Sequence, residues 1–456
     1  MKFVAESIAA EIRGGSDDRL VRNVCTDSRA AQPGDLFFAI AGERFDGHAF
    51  LDDVAAKGAV AVVVDRKKVP ARLPACAVLA VDDPRAALGR LAAAYRREFD
   101  LPIIAVGGSN GKTTTKELIA SVLRQKRTAL WSEASFNNDI GVPMTLLRLD
   151  RTHQAAVLEA GTNHPGELAP LVAMIRPKYG VLTNIGREHL EFFGDLAGVI
   201  REEGALAEGL PADGKLLVNG DDEATDQIVR RTAAKVVRVG LKEGNDWRAR
   251  GIRLDKNGVT FRVEAPDAAF SGEYRIHLLG RHQVINALFA VAVSEELGLG
   301  RPAARDGLAG CQPAKMRLQL QEAGGVRVLD DAYNANADSM LAALETLCDL
   351  PLQGRRVAVL GDMNELGAHS EAAHAEVGRR AAELGIGQLF AVGKMAPVTA
   401  RAARDAGLTR VMEFADVEAA VKAVKNFLKA GDVVLLKASR TSRLERIAAT
   451  LKPEKS

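Results

Sequence analysis

Cysteine is scarce in this chain, and neither a long apolar run nor an excess of one charge is present. The four cysteines stand far apart and form no C-x-x-C pair, so we expect buried, reduced thiols in a reducing compartment: Cys25, Cys76, Cys311 and Cys348. The formal net charge of +2 predicts no polyanionic partner and therefore no binding of nucleic acid.

The opening residues, MKFVAESIAAEIRGG, contain acidic side chains and no sustained apolar stretch. They predict neither a signal peptide nor a membrane span, so we expect a cytoplasmic protein that does not insert into membranes. The chain of 456 residues is 47% hydrophobic and 26% charged, which is typical of globular proteins. Its length predicts about two to four domains.

The stretch AVGGSNGKTTTKELIASVL carries the strongest functional signal. It joins an apolar strand, LPIIAV, to a segment with helical spacing, KELIASVL. Gly108 and Gly111 permit a turn whose N–H groups face a phosphate at a helix N-terminus. Lys112 is expected to reach the β- and γ-phosphates, and the Thr113 hydroxyl to bind Mg²⁺. The general P-loop pattern requires glycine where Val106 stands, so an ordinary junction with a surface lysine is the alternative.

Polar side chains follow two more apolar strands of this central region. Glu159 ends the strand in AAVLEAG, and Asn184 and His189 follow the strand in YGVLTN. Since such strand ends face the ligand crevice of an open α/β sheet, these groups predict a site for Mg²⁺ or Mn²⁺ beside nucleotide phosphates. The alternatives are a helix cap or ion pair for Glu159 and a surface position for His189.

The segment before residue 84 reads as a small α/β unit. LFFAIAG and AVAVVV predict strands, and HAFLDDVAAKGA predicts a helix between them. Two polar clusters stand out, Asp27-Ser28-Arg29 and Phe45-Asp46-Gly47-His48, each of which by itself is typical of a turn or cap.

After a mostly β region over 236–280, a helix opens with His282, Gln283 and Asn286. Near Pro313 strands begin to alternate with helices, which predicts a third, Rossmann-like α/β domain. It has no G-x-G-x-x-G after its first strand, so no dinucleotide site is expected. The polar residues at its strand ends or turns are Arg317, Asp331, Asn334, Asn336, Lys437, Ser439 and Arg440.

These motifs together resemble the Mur ligase family along essentially the whole chain. The phosphate loop G-S-N-G-K-T-T, the blocks F-N-N-x-I-G-V-P and N-I-G-x-x-H-L-E, and the N-terminal D-G-H-x-F are similar to that family. The runs E-A-G-x-N-H-P-G-E, D-D-A-Y-N-A-N-x-D-S-M, L-G-D-M-N-E-L-G and K-A-S-R are similar to its MurF branch. The D-N-P-R motif expected of the MurE branch is missing.

The resemblance implies a fold of three α/β domains. These are a small UDP-binding domain over 1–84, a P-loop ATPase domain over 85–312 and a Rossmann-like domain over 313–456. It also implies the reaction of an ATP-dependent, ADP-forming ligase. The carboxylate of UDP-N-acetylmuramoyl-tripeptide forms an acyl phosphate, and D-alanyl-D-alanine then displaces phosphate in a step of peptidoglycan precursor synthesis. We expect a monomer whose partners are these small molecules.

The resemblance also assigns residues. Those expected to bind ATP are Gly108, Ser109, Asn110, Gly111, Lys112, Thr113, Thr114, His282, Asn286, Arg317 and Asp331, with Lys112, Thr113 and Arg317 catalytic. Those expected at the UDP site are Ser28, Arg29, Asp46 and His48, and those near the dipeptide are Asn334, Asn336, Lys437, Ser439 and Arg440. Gln283 stands where the family more often has asparagine. A MurE-like or folylpolyglutamate-synthetase-like ligase and a non-catalytic nucleotide-binding protein are the alternatives.

One position departs from the family. Many Mur ligases carry a carbamylated lysine fourteen residues after the metal-site histidine, and fourteen residues after His189 stands Glu203. We expect Glu203 to supply its carboxylate directly to Mg²⁺, alongside Thr113, Glu159 and His189. The alternative is that Glu203 and Glu202 are solvated surface residues.

Overall fold

The computed structural model describes residues 1–14, 19–42 and 45–451, and the strands of these residues form three β-sheets. The N-terminal sheet contains β1 (Glu11–Arg13), β2 (Asn23–Cys25), β3 (Asp35–Phe38), β4 (Ala61–Asp65) and β5 (Ala77–Val81), with helices α1 (Lys2–Ile8), α2 (Leu51–Ala56) and α3 (Pro84–Arg96). The strand order is β1-β5-β4-β3-β2, and only β1 runs antiparallel to its neighbour.

The central sheet has nine strands in the order β14-β13-β12-β11-β10-β9-β6-β8-β7 and is parallel from β7 to β12. Its strands are β6 (Ile103–Gly107), β7 (Ala129–Trp131), β8 (Ala155–Glu159), β9 (Tyr179–Leu182), β10 (Lys215–Asn219), β11 (Lys235–Gly240), β12 (Trp247–Asp255), β13 (Gly258–Glu264) and β14 (Gly272–Ile276). Its helices are α4 (Lys112–Leu123), α5 (Gly141–Leu146), α6 (Leu168–Ile175), α7 (Leu190–Phe193), α8 (Leu196–Glu208), α9 (Thr225–Ile228), α10 (Gln283–Glu296) and α11 (Gly300–Gly310).

The C-terminal sheet has six strands in the order β15-β16-β20-β17-β18-β19, parallel except for the β15–β16 hairpin. Its strands are β15 (Gln319–Ala323), β16 (Val326–Asp330), β17 (Arg356–Leu360), β18 (Gln388–Val392), β19 (Val411–Phe414) and β20 (Val433–Lys437). Its helices are α12 (Ala337–Asp349), α13 (Ser370–Glu383), α14 (Ala396–Asp405), α15 (Val417–Phe427) and α16 (Glu445–Leu451).

The turn from β6 into α4 has the shape that its glycines require. Gly108 has φ +106°, and a Cβ there would lie 2.5 Å from Thr183 Oγ1. Gly111 has φ +83°, and a Cβ there would lie 2.7 Å from Asn286 Oδ1. Any other residue at either position would meet backbone strain and a steric clash, so the turn packs directly against the strand-end loop after β9 and against α10.

The α/β class and the alternation of strands and helices in the C-terminal part are confirmed. The mostly β region over 236–280 forms the β11 to β14 edge of the central sheet. The predicted strand LFFAIAG is shorter than expected, since β3 ends at Phe38. Helices α14 and α15 and strand β19 were not predicted, although both helices are amphipathic and bury residues such as Ala400 and Val424. Within the described ranges, no helix combines the length and hydrophobicity that crossing a membrane requires.

Candidate active site

A cavity of about 470 Å³ lies between the carboxyl ends of the central strands and the C-terminal sheet. The predicted residues that line it are Ser109, Asn110, Gly111, Lys112, Thr113, Thr114, Glu159, His189, His282, Asn286, Arg317, Asp331, Asn334, Asn336 and Lys437. The predicted residues outside its lining are Gly108, Glu203, Ser439, Arg440, Ser28, Arg29, Asp46 and His48. The fold therefore brings most of the predicted nucleotide and metal residues to one place.

Lys112, the first residue of α4, folds back over its own loop. Its Nζ donates to the carbonyl oxygens of Gly108 (2.5 Å) and Ser109 (3.3 Å) and lies 3.3 Å from Glu188 Oε2. Burial alone disfavours its charge, but the carboxylates of Glu188, Glu203 and Glu159 outweigh burial and raise the pKa of Lys112. A charged ammonium group thus lies at the N-terminus of α4, where it can neutralise phosphate charge.

Three buried carboxylates surround this lysine, and each has an oxygen without a hydrogen-bond partner. They are Glu159 Oε2, Glu188 Oε1 and Glu203 Oε1. The other oxygen of Glu159 accepts a hydrogen bond from Asn137 Nδ2 at 2.8 Å. Since an unpaired buried carboxylate oxygen is costly, this cluster matches a hard cation such as Mg²⁺ in its donor chemistry.

Glu203 lies behind the phosphate loop. It is fully buried, and its Oε2 accepts a hydrogen bond from the N–H of Gly108 at 2.7 Å. Burial, reinforced by the nearby Glu188 carboxylate, raises the pKa of Glu203 to about 8. The alternative of a solvated surface pair is wrong, because Glu202 is also buried and accepts hydrogen bonds from Thr162 Oγ1 and from the N–H groups of Gly166 and Leu168.

His189 lines the cavity and has a left-handed backbone with φ +48°. Its Nδ1 is hydrogen-bonded to Glu365 Oε2, and its Nε2 lies 3.9 Å from Glu188 Oε2. Among the residues that the structure describes, no three His, Cys, Asp or Glu side chains are already arranged to hold a metal ion. A cation here would therefore need further oxygens from water or phosphate, as Mg²⁺ in nucleotide sites usually does.

Side chains at the other end of the phosphate loop hold one another. Asn286 Oδ1 accepts a hydrogen bond from Thr115 Oγ1 at 3.1 Å, and its Nδ2 donates to Gln283 Oε1 at 2.8 Å. Both polar atoms of Asn286 thus already have partners inside the protein, which fixes α10 against α4. Burial lowers the pKa of His282, so its ring is neutral at the cavity wall.

The C-terminal wall is built around a buried ion pair. Lys437 Nζ lies 2.5 Å from Asp331 Oδ2 and also donates to the carbonyl oxygen of Asn334 at 3.1 Å. The guanidinium of Arg317 lies 4.1 Å from the ring centre of Tyr333. This cation–π contact joins two residues that both line the cavity.

The remaining C-terminal candidates make contacts within their own sheet. Ser439 Oγ accepts a hydrogen bond from the N–H of Asn364 at 2.9 Å and lies 3.4 Å from the carbonyl oxygen of Ala335. Arg440 pairs with Glu445 at 3.3 Å. Neither residue lines the cavity, whereas Asn334, Asn336 and Lys437 do, although Ser439 contacts the cavity-lining residue Asn364.

The predicted UDP residues lie on the N-terminal sheet. His48 Nδ1 donates to Asp46 Oδ1 (2.6 Å), and its Nε2 accepts from the N–H of Asp65 (2.9 Å) at the end of β4. Lys68 and His48 lower the pKa of Asp46. Both ring nitrogens of His48 are therefore hydrogen-bonded within the protein, and the side chain stabilises this turn.

Ser28 and Arg29 lie in the connection between β2 and β3. Lys57 Nζ donates to the carbonyl oxygens of Ser28 (2.7 Å) and Arg29 (3.3 Å). The Arg29 guanidinium pairs with Asp27 and lowers the pKa of that exposed carboxyl to about 2.

Sequence reasoning missed two buried charged residues of the site. Glu188 stands directly before His189 and could have been found as a carboxylate following β9. Lys116 is fully buried, and its Nζ donates to the carbonyl oxygens of Ser132 (2.7 Å) and Ala134 (2.8 Å). It thereby holds the loop that carries Ser135 and Asn137 against the cavity. Nothing in the local sequence distinguishes Lys116 from a surface lysine.

Comparisons with known proteins agree with this geometry. The sequence matches the Mur ligase family catalytic domain over 20–96, the Mur ligase middle domain over 106–294 and the Mur ligase glutamate ligase domain over 316–440. It is 38% identical to the UDP-N-acetylmuramoyl-tripeptide–D-alanyl-D-alanine ligase of Escherichia coli, covering 98% of this chain and 97% of that one.

Two solved structures have the same architecture. The crystal structure of MurF from Acinetobacter baumannii superposes with a TM-score of 0.90 at 33% identity, covering 99% of this chain and 98% of that one. MurF ligase from Thermotoga maritima in complex with ADP gives a TM-score of 0.82 at 28% identity, covering 96% and 98%.

The phosphate loop lies between the central and C-terminal sheets with buried carboxylates around its lysine, and together with these comparisons it indicates an ATP-dependent, amide-forming ligase. The chain belongs to the Mur ligase family, within its MurF branch. The predicted family and three-domain architecture are thus confirmed.

Proposed function

We propose that this ligase joins D-alanyl-D-alanine to UDP-N-acetylmuramoyl-tripeptide at the expense of ATP, in cytoplasmic peptidoglycan precursor synthesis. The observation that carries the proposal is the 38% identity over 98% of the chain to the Escherichia coli ligase of that name. It is supported by a cavity in which a phosphate loop faces a second, C-terminal wall with polar groups for an acceptor.

The reaction has two displacements. A carboxylate oxygen of the tripeptide attacks the γ-phosphorus of ATP, and ADP leaves, giving an acyl phosphate. The amine of D-alanyl-D-alanine then attacks the acyl carbon, phosphate leaves, and the nitrogen loses a proton as the amide forms. Both steps need positioning and charge neutralisation more than covalent help from the protein.

Lys112 supplies a fixed positive charge beside the phosphate loop in this scheme. Its present partners are carbonyl oxygens of its own loop and Glu188, so its N–H donors can transfer to incoming phosphate oxygens without further desolvation. Arg317, stacked on Tyr333 across the cavity, adds a second cation from the C-terminal side. We assign ATP to the phosphate loop with His282, Asn286 and Asp331 around it.

Mg²⁺ fits the donors that are present. Glu159, His189 and the Thr113 hydroxyl would hold it, and Glu203 would contribute its unpaired oxygen from behind the loop. When bound, the ion supplies Lewis-acid neutralisation of phosphate charge. Lys112 balances part of the charge of the three surrounding carboxylates.

We assign the uridine diphosphate to the N-terminal sheet near Ser28, Arg29, Asp46 and His48. The dipeptide is assigned to Asn334, Asn336, Lys437, Ser439 and Arg440. The boundaries after residues 84 and 312, the monomeric state and the cytoplasmic location stay predictions. Light scattering of the purified chain would check the monomeric state. Fractionation of cells that express it would check the cytoplasmic location.

Phosphate release tests the proposal. We expect turnover only when ATP, D-alanyl-D-alanine and a UDP-N-acetylmuramoyl-tripeptide are all present, assayed with tripeptides ending in diaminopimelate or lysine. Turnover with a single amino acid and a UDP-dipeptide would indicate a MurE-like ligase instead. Nucleotide binding without turnover under every combination would indicate a binding protein.

A further inference from the structure

A loop of the C-terminal part, residues 361–369, docks on the metal-site segment of the central part. Glu365 Oε2 is hydrogen-bonded to His189 Nδ1, and the carbonyl oxygen of Glu365 accepts from the N–H of Glu191 at 3.0 Å. His369 Nε2 lies 2.8 Å from the carbonyl oxygen of Gly194. Three contacts between distant parts of the chain therefore converge on the residues around His189.

The loop over 361–369 packs closely against the segment that follows His189. A Cβ at Gly367 would lie 3.1 Å from the Cα of Glu191. His189 (φ +48°) and Glu365 (φ +60°) both have left-handed backbones, which are uncommon for residues other than glycine. Such conformations persist only where surrounding contacts fix them, and here the two strained residues hold each other's side chains.

The loop is also tied to its own sheet. The N–H of Asn364 donates to Ser439 Oγ at 2.9 Å, and the N–H of Met363 donates to His374 Nε2 at 3.0 Å. Asn364 and Glu365 both line the cavity. Glu365 is therefore anchored in the C-terminal sheet, while its carboxylate acts on a residue of the central sheet.

We propose that Glu365 is a positioning residue for His189. It accepts the Nδ1–H and leaves the Nε2 lone pair facing the cavity beside Glu188. Metal-binding histidines commonly donate their second N–H to a carboxylate, which fixes both tautomer and ring orientation. Because Glu365 belongs to the other sheet, His189 is oriented for a cation only while the C-terminal part is docked. The inference rests on the proposed function, in which His189 is a metal ligand.

Two measurements on the full chain test the inference without relying on turnover. The first is the His189 tautomer, read from long-range proton–nitrogen NMR spectra of ¹⁵N-histidine-labelled protein and assigned with His189→Gln. The second is the dissociation constant for Mn²⁺ in the presence of ADP, measured by electron paramagnetic resonance. The variants are Glu365→Ala and Glu365→Gln, with Glu191→Gln as the control, since it removes a nearby exposed carboxylate of the same charge.

We expect the Nδ1–H tautomer in the wild type and its loss in Glu365→Ala, with Mn²⁺ binding weakened by about tenfold or more. Glu365→Gln retains a side-chain oxygen that can accept the Nδ1–H, so it should fall between wild type and Glu365→Ala. Glu191→Gln should match the wild type.

Two other results would each overturn the inference and are distinguishable. If His189→Gln weakens Mn²⁺ binding but Glu365→Ala keeps both the tautomer and the affinity, Glu365 has no positioning role and the proposed metal site stands. If His189→Gln binds Mn²⁺ as the wild type does, His189 is not a ligand and the proposed metal site fails with the inference.

Discussion

Asn336 Nδ2 donates a hydrogen bond to Asn110 Oδ1 at 3.0 Å, joining the start of α12 to the phosphate loop. The Oδ1 of Asn336 simultaneously accepts from the N–H of Ser339 and caps α12. One side chain therefore caps the N-terminus of a helix in the C-terminal part and also contacts the loop assigned to ATP. The N-terminus of α12, with its favourable dipole for anions, is held at the cavity by this contact.

Beside this contact, Arg187 of the central part forms ion pairs with two carboxylates of the C-terminal part. Its guanidinium lies 2.6 Å from both Asp338 and Glu376, which together raise its pKa. We expect Arg187→Ala to increase the radius of gyration in solution scattering and to raise KM for ATP several-fold, since each partly exposed pair contributes up to about 1 kcal/mol. Arg201→Ala, which removes an exposed arginine of α8, is the control. Unchanged scattering and KM would show that the link does not hold the parts together.

Lys112→Ala should reduce ligation by about a thousandfold or more while the protein stays folded. The reason is that transferring phosphoryl charge would lose its nearest fixed cation. Phosphate release and thermal unfolding followed by circular dichroism measure the two effects. Lys126→Ala, at an exposed lysine beyond α4, should behave as the wild type. Phosphate release near the wild-type rate in a folded Lys112→Ala protein would contradict the assignment of the phosphate loop.

Asp46→Ala should raise KM for the UDP-linked substrate by about tenfold and leave KM for ATP unchanged. The substitution removes the charged partner of His48 and Lys68, and charge-assisted hydrogen bonds contribute about 1.5–3 kcal/mol each. Titration of both substrates measures the effect, with Asp53→Ala on α2 as the control. An equal rise in KM for ATP would mean that this turn does not belong to a separate substrate site.

Glu203→Ala should require about tenfold more Mg²⁺ for half-maximal activity, and wild-type activity should not depend on bicarbonate. Glu203→Gln isolates the charge, because its amide oxygen can still accept the N–H of Gly108. Glu208→Ala, at an exposed carboxylate of the same helix, is the control. Magnesium titrations of each variant measure the effect. Unchanged kcat and unchanged magnesium dependence in Glu203→Ala would refute the metal role.

The stability of the C-terminal part should fall as pH drops below about 6.5. Burial lowers the pKa of His374, whose Nε2 accepts from the N–H of Met363 and whose Nδ1 donates to the carbonyl oxygen of Ser370. The unfolded chain therefore binds a proton at a pH where the folded chain does not. This lowers the free energy of unfolding by at most about 1.4 kcal/mol per pH unit until the folded pKa is reached.

Urea unfolding at pH 7.5 and 5.5 measures this effect. His374→Gln cannot take up the proton, so its free energy of unfolding should decrease less between the two pH values than that of the wild type. An equal decrease in both proteins would show that His374 does not contribute to the pH dependence.

The sequence by itself determined the phosphate loop and the alternation of strands and helices, apart from α14, β19 and α15. These features depend on local apolar periods and on glycines such as Gly108, whose φ angle and close neighbours are set within the β6–α4 turn and the loop beside it. The strand ends also placed Glu159 and His189 at one edge, because parallel strands bring their carboxyl ends together.

Only the tertiary structure decided which polar side-chain atoms are hydrogen-bonded to other parts of the protein. The hydrogen bond from Asn286 to Gln283, the two bonds of the His48 ring and the position of Glu203 behind Gly108 depend on how separate helices and strands pack. The pairing of Glu365 with His189 joins residues 176 positions apart. A local pattern carries no information about such a contact, since side-chain partners across sheets are fixed by the packing of the whole chain and not by neighbours in sequence.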